Sequence, residues 1–176
     1  MKKIFYGAAI QGAKNRQDRA HIHQIAIQSI KNTGCSVISE HTTGINFDDT
    51  ARLLEKTLGH LPPVGKERTI FVRNKIIELI EGDIYAAIFE VSTPSLGTGI
   101  EIAHAYLRPR MGLPQIPVTV LYQKNYWPNH LSTMINGISR EHVPDFNIIE
   151  YDDPEDITTI IPGIVKTYSS FLNPQL

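Results

Sequence analysis

Cysteine and tryptophan each occur once in 176 residues, and neither sign of charge prevails, with 17 Lys and Arg against 18 Asp and Glu. Each shortage closes off a class of protein. A lone Cys35 cannot form an internal disulfide, so a small secreted domain held by bridges is excluded. A net charge of −1 and a pI near 6.6 leave no basic surface for a nucleic-acid polymer or an anionic membrane. No apolar run approaches membrane-spanning length, and no secretory leader is expected at the start. The expectation is a soluble, cytoplasmic protein whose partner is a small molecule. The seven His residues are scattered, and only His21 and His23 lie close together. With no Cys partner, no His-x-x-x-His spacing and no carboxylate cluster beside them, they are expected to be solvated rather than to hold a metal.

What is present is enough apolar material, 41% of the residues, for one domain with a real core, and no break in composition divides the chain. Lys3 to Ala9 reads as a first strand, followed by a small-residue loop at Ile10-Gln11-Gly12-Ala13. Asp18 and Arg19 open a helix with Ile22, Ile25, Ala26 and Ile30 at helical spacing, and Thr33-Gly34 stop it. Ser36 to Ser39 fits a second strand, leaving Glu40 to Gly44 as a polar loop that places His41 at the same sheet edge. A short helix is expected from Phe47 to Leu58. A connection through Pro62-Pro63 follows, a surface excursion or a lid, and then a helix from Glu67 to Glu81. Further strands are read at Pro117 to Tyr122 and Phe146 to Tyr151, with a short helix around His130 to Ile135 between them. The last helix runs from Ile157 to Leu172 behind the acidic, Pro-containing start Asp153-Pro154-Glu155-Asp156. Strands alternating with helices through short connections imply a single α/β domain of flavodoxin or Rossmann type, a five-stranded parallel sheet covered on both faces.

The most informative stretch is Asp83 to Ala105. It begins as a buried strand, passes through the turn Ser92-Thr93-Pro94-Ser95-Leu96-Gly97-Thr98-Gly99, and becomes a helix. In an open α/β sheet this is where ligands bind, because loop backbone approaches closely and a helix start offers free N–H groups to an anion. Glu101 sits just inside that helix among Ile100, Ile102, Ala103 and Ala105. The macrodipole at a helix start favours the ionised carboxylate, which suits a nucleophile or base beside a phosphate or sugar. The plainer reading of the same residue is a surface ion pair with Arg108 or Arg110. No glycine fingerprint for a nicotinamide or flavin cofactor follows the first strand, so no cofactor is expected.

The opening Ile4-Phe5-Tyr6-Gly7-Ala8-Ala9-Ile10-Gln11-Gly12, the strand end Ser39-Glu40-His41, and Glu90-Val91-Ser92-Thr93-Pro94-Ser95-Leu96-Gly97-Thr98-Gly99-Ile100-Glu101 together resemble the nucleoside 2-deoxyribosyltransferase family. Within it they are most similar to the 2'-deoxynucleoside 5'-phosphate N-hydrolases. Leu131-Ser132-Thr133-Met134-Ile135 looks like a second family element. The resemblance implies cleavage of an N-glycosidic bond, with Glu101 attacking C1' of the sugar to form a glycosyl-enzyme. It implies that Ser95 and Gly97 hold a 5'-phosphate, that Phe5, Ile10, Gln11, Gly12, His41 and Asn74 line the site, and that Ser132 and Met134 reach the site of a neighbouring subunit in a homodimer. This chain departs from the pattern at three places. Phe5 stands where the family has Tyr, Gln11 where it has Arg, and Asn74 or Lys75 where an Asp assists departure of the base. Asp48, Asp49, Asp83 and Glu90 are the alternative proton donors, and a strand-end structural role is also open to Asp83 and Glu90.

Overall fold

The computed structural model describes residues 1–10, 16–126, 130–138, 141, 143 and 145–171, the side chains of 16–18 and 169–171 excepted. The predicted loop residues Gln11, Gly12 and Ala13 therefore lie outside the described residues. Five strands, β1 (Lys3–Ala8), β2 (Ser36–Val37), β3 (Ala86–Glu90), β4 (Val118–Gln123) and β5 (Phe146–Tyr151), form one sheet in the order β2-β1-β3-β4-β5, and every neighbouring pair is parallel. The described helices are α1 (Arg16–Asn32), α2 (Phe47–Leu58), α3 (Lys66–Glu81), α4 (Leu96–Tyr106), α5 (Thr133–Asn136) and α6 (Ile157–Phe171). This is an α/β fold of the Rossmann-like kind, with the strand order of a flavodoxin-type sheet. Among the described residues no helix is long and apolar enough to cross a membrane.

Parallel strands covered on both faces must be apolar on both sides, and β3 shows it: all five of its residues are buried. Alternation divides them. Ala86 and Ile88, with Ile4 and Tyr6 of β1, pack under α1 and α6, where Ile22, Ala26, Ile30, Ile161 and Val165 meet them. Ala87 and Phe89, with Phe5, pack under α3 and α4 against Ile76, Ile80, Ile102 and Ala105. The rings of Phe5 and Phe89 lie 5.8 Å apart within this second layer. Because α1 covers one face and α4 the other, the chain leaves β1 and β3 in opposite directions. That divergence opens a crevice at their carboxyl ends.

Several boundaries differ from the sequence reading, each for a local reason. The strand expected from Asp83 begins at Ala86, since Ile84 bonds back to the Gly82 carbonyl in a turn. The second strand is two residues long, and Glu40–Thr43 forms a 3-10 turn instead of an open loop. The central helix starts earlier, at Leu96, because Ser95 caps it: its hydroxyl accepts the Thr98 N–H at 3.3 Å. Gly97 and Gly99 thus belong to the helix.

Candidate active site

Glu101 is the sixth residue of α4, more than a turn beyond its start, so the macrodipole falls away before reaching it. Its carboxylate leans over the end of β1. A Cβ placed on Gly7 would stand 2.8 Å from Glu101 Oε2 and 2.6 Å from the Phe89 ring, so the absence of a side chain at Gly7 makes the space the carboxylate occupies. The floor is Phe5 and Phe89, both fully buried. Glu101 has no hydrogen-bond or ion-pair partner among the described residues. Arg108 is spent elsewhere, donating to the carbonyls of Ile80, Gly82 and Pro114, which rules out the surface pairing with it. Burial without a partner pushes the Glu101 carboxyl up to about 8, opposite in sign to the effect expected from the helix start.

At the start of α4, Thr98 N–H is taken by Ser95 Oγ and Gly99 N–H by the Ser95 carbonyl. The N–H groups of Leu96 and Gly97 have no acceptor among the described residues and face outward, as the first turn of a helix dictates. They supply an anion-accepting pair one turn from Glu101.

Phe5 brings no hydroxyl to Glu101, and the neighbouring tyrosine does not replace it. Strand alternation sends Tyr6 to the opposite face, where its hydroxyl meets His23 Nδ1 at 2.9 Å. His23 is therefore buried, contrary to the expectation of a solvated imidazole, and burial lowers it to about 4. His41 is also buried; with Nδ1 unpartnered among the described residues, it is lowered by burial to about 4. Both rings are neutral at pH 7. Ile10 is half-buried just past β1, whereas Asn74 is exposed on α3 and accepts a hydrogen bond from Arg73.

Of the alternative proton donors, Glu90 is corrected most firmly. Its side chain turns to the α1 face, where Arg19 Nη2 stands 2.5 Å from Oε2 and Tyr151 donates to Oε1 at 3.0 Å. Burial, the largest single influence, would raise the carboxyl, but the Arg19 guanidinium together with His23 and the Ser92 hydroxyl outweighs it and holds Glu90 below the usual carboxylate range. An ionised, paired carboxylate is no acid. Asp49 is tied to the Ile45 N–H and to Arg52, and Asp83 lies at the amino end of β3, on the far side of the sheet. Asp48, in the first turn of α2, remains without a partner among the described residues.

Ser132 and Met134 lie on a separate cleft of about 570 Å³ between α4 and the segment around α5. Ser95, Leu96, Ile100, Tyr106 and Ile138 also line it, while Glu101, on another side of α4, does not. Leu96 and Met134 are 91% and 82% exposed there.

No family model matches the chain. A protein of Thermofilum pendens named "Putative 2'-deoxynucleoside 5'-phosphate N-hydrolase 1" is 30% identical over 167 residues, spanning 93% of this chain and 97% of that protein. The chain belongs to the 2'-deoxynucleoside 5'-phosphate N-hydrolase family.

The Arg19–Glu90 pair was the part of this family member that residue spacing did not reveal. Seventy-one positions separate the partners, and only the strand order brings them together. The available signal was Glu90 itself, a carboxylate closing a strand buried on both faces, where a charge needs a counter-charge.

Proposed function

We propose that the protein cleaves the base–sugar bond of deoxynucleoside 5'-monophosphates through a covalent intermediate on Glu101. The observation that carries the reading is the unpaired carboxyl of Glu101, set over Gly7 and the Phe5–Phe89 floor at the divergence of β1 and β3. Two carboxylates at one sheet edge have been driven apart by their surroundings. Glu90 is satisfied by Arg19, whereas Glu101 has no counter-charge among the described residues. An anion stranded on an apolar floor gains most when positive charge develops at C1', so the interaction is stronger in the oxocarbenium-like transition state than with the resting sugar. Glu101 forms the bond to C1', and the C1'–N bond breaks with its electron pair leaving on the base. The departing base takes up a proton from solvent, and water then attacks C1', breaking its bond to Glu101 and releasing the free carboxylate, as in retaining glycosidases.

The 5'-phosphate is assigned to Ser95 and the N–H groups of Leu96 and Gly97, supported by their lack of other acceptors. C4' and C5' separate it from C1', which keeps its charge off the attacking carboxylate. The assembly in this reading is a homodimer in which Ser132 and Met134 reach across to the second site; the apolar, exposed cleft they line supports it. Gln11, in place of the family Arg, favours a second reading, deoxyribosyl transfer on free nucleosides. Phe5, with no hydroxyl, favours a non-catalytic nucleotide sensor.

Incubation with nucleosides and their 5'-monophosphates, followed by chromatography for free base, tests the assignment. Release from monophosphates at a kcat/KM about tenfold or more above that for nucleosides is expected, with loss of several orders of magnitude in Glu101→Gln. Equal use of free nucleosides would favour the transferase, and binding without release the sensor. A monomer by light scattering would rule out shared sites.

A further inference from the structure

We propose that the buried Arg19–Glu90 pair is a positioning element, which holds the Ser92–Ser95 loop and the anion-accepting start of α4 in substrate-ready shape. The inference rests on the N-hydrolase reading above. Both side chains are almost wholly buried, at 2% and 1% exposure. Stability alone gives little reason for such a pair, since well-packed apolar residues of the same volume are generally as stable or more so.

The contacts show what the pair organises. Glu90 Oε1 accepts the Ser92 N–H at 3.1 Å, the Ser92 hydroxyl, and the Tyr151 hydroxyl. Ser92 Oγ in turn accepts the Gln123 N–H at 2.7 Å, and the Gln123 side-chain carbonyl accepts from Arg19 Nη1 at 2.9 Å. Arg19 Nη2 closes the circuit on Glu90 Oε2. The Tyr126 ring lies over the Arg19 guanidinium, 4.3 Å from its centroid to Cζ. The network built on one carboxylate therefore ties together Ser92 in the loop after β3, Gln123 at the end of β4, and the first turn of α1.

All of this happens on the α1 face of the sheet, while Glu101 works on the α4 face. The pair touches neither the carboxylate that attacks nor the groups assigned to the phosphate. It acts through the direction in which Ser92 launches the chain toward Ser95. Loosening it should weaken capture of the phosphate and leave the chemical step nearly unchanged.

Ser92→Ala and Tyr151→Phe separate this role from a merely structural one. Each deletes one hydroxyl that donates to Glu90 Oε1, but only Ser92 belongs to the loop. With whichever deoxynucleoside 5'-monophosphate the wild type cleaves best, Ser92→Ala should raise KM by about tenfold with kcat within about threefold, and Tyr151→Phe should leave KM within about twofold. The rise should be confined to phosphorylated substrate, with the KM for the matching nucleoside unmoved. The neutral double variant Arg19→Met/Glu90→Gln, which strands no charge, should reproduce it. Equal KM shifts in the two single variants, shifts of the same size for nucleoside and nucleotide, or an unchanged KM in Ser92→Ala would overturn the positioning role. A folded wild type inactive on every monophosphate would instead overturn the N-hydrolase reading, and the positioning role with it.

Discussion

Removing the charge of Glu101 should stabilise the unliganded fold, by an amount that depends on pH. Burial raises the carboxyl from 4.5 to about 8, so between those values the folded chain keeps a proton that the unfolded chain has released. The stability associated with the protonated group is whole below pH 4.5 and is lost as pH rises toward 8. Each pH unit in that window is worth about 1.36 kcal/mol, which comes to about 3 kcal/mol at pH 7 and about 5 kcal/mol above pH 8. Glu101 is partly exposed, and solvent screening brings the figure at pH 7 to about 2 kcal/mol. Glu101→Gln keeps the shape and cannot ionise. It should match the wild type near pH 4.5 and exceed it by roughly 4–8 °C in Tm at pH 7, at about 2–4 °C per kcal/mol for a chain of this size. Thermal unfolding of both proteins from pH 4.5 to 9, without ligand, measures the gap. Curves that stay parallel across the range, or a variant less stable throughout, would refute the unpaired, desolvated carboxylate.

Gly7→Ala should lower kcat by about a hundredfold, because the new methyl claims the space of Glu101 Oε2 and a displacement of about 1 Å is costly at a reacting centre; steady-state kinetics with the fold checked by circular dichroism reads it. The kcat/KM profile should climb with an apparent value near 8 as Glu101 ionises, and a profile flat from pH 6 to 9 would contradict that assignment. His23 and His41, both lowered from 6.5 to about 4 by burial, contribute stability that is whole above pH 6.5 and fades as pH falls through 4, up to about 3 kcal/mol each. Urea midpoints at pH 7.5 and 4.5, taken in Glu101→Gln to remove the opposing carboxylate, should show that loss.

Much of the fold was legible because its strands are apolar on both sides and its helices have recognisable boundaries: Thr33-Gly34 after α1, Pro62-Pro63 between α2 and α3, and the acidic start of α6. That the strands run parallel also followed from alternation with helices, whereas their order did not. What stayed hidden depended on direction. Phe5 and Tyr6 are neighbours in sequence, yet one packs on Phe89 in the layer under α4 and the other bonds His23 across the sheet. Glu90 and Glu101 likewise share a motif but occupy opposite faces. Composition marks both as carboxylates near a helix start; only packing decides that Arg19 reaches one and that no described residue pairs with the other. Reading Ser95 as a loop residue also misplaced the helix start, and with it the expected effect of the macrodipole on Glu101.

The brevity of β2 bears on how this protein behaves when concentrated. An outermost strand normally offers a row of open N–H and C=O groups that another molecule's strand can zip onto, a first step toward aggregation. Here that margin is the two residues Ser36 and Val37, too short to template a stranger. The opposite margin, β5, carries Glu150 with Lys124 4.0 Å away, and charges along an outer strand discourage the same stacking. Neither flank of the sheet invites growth by strand addition.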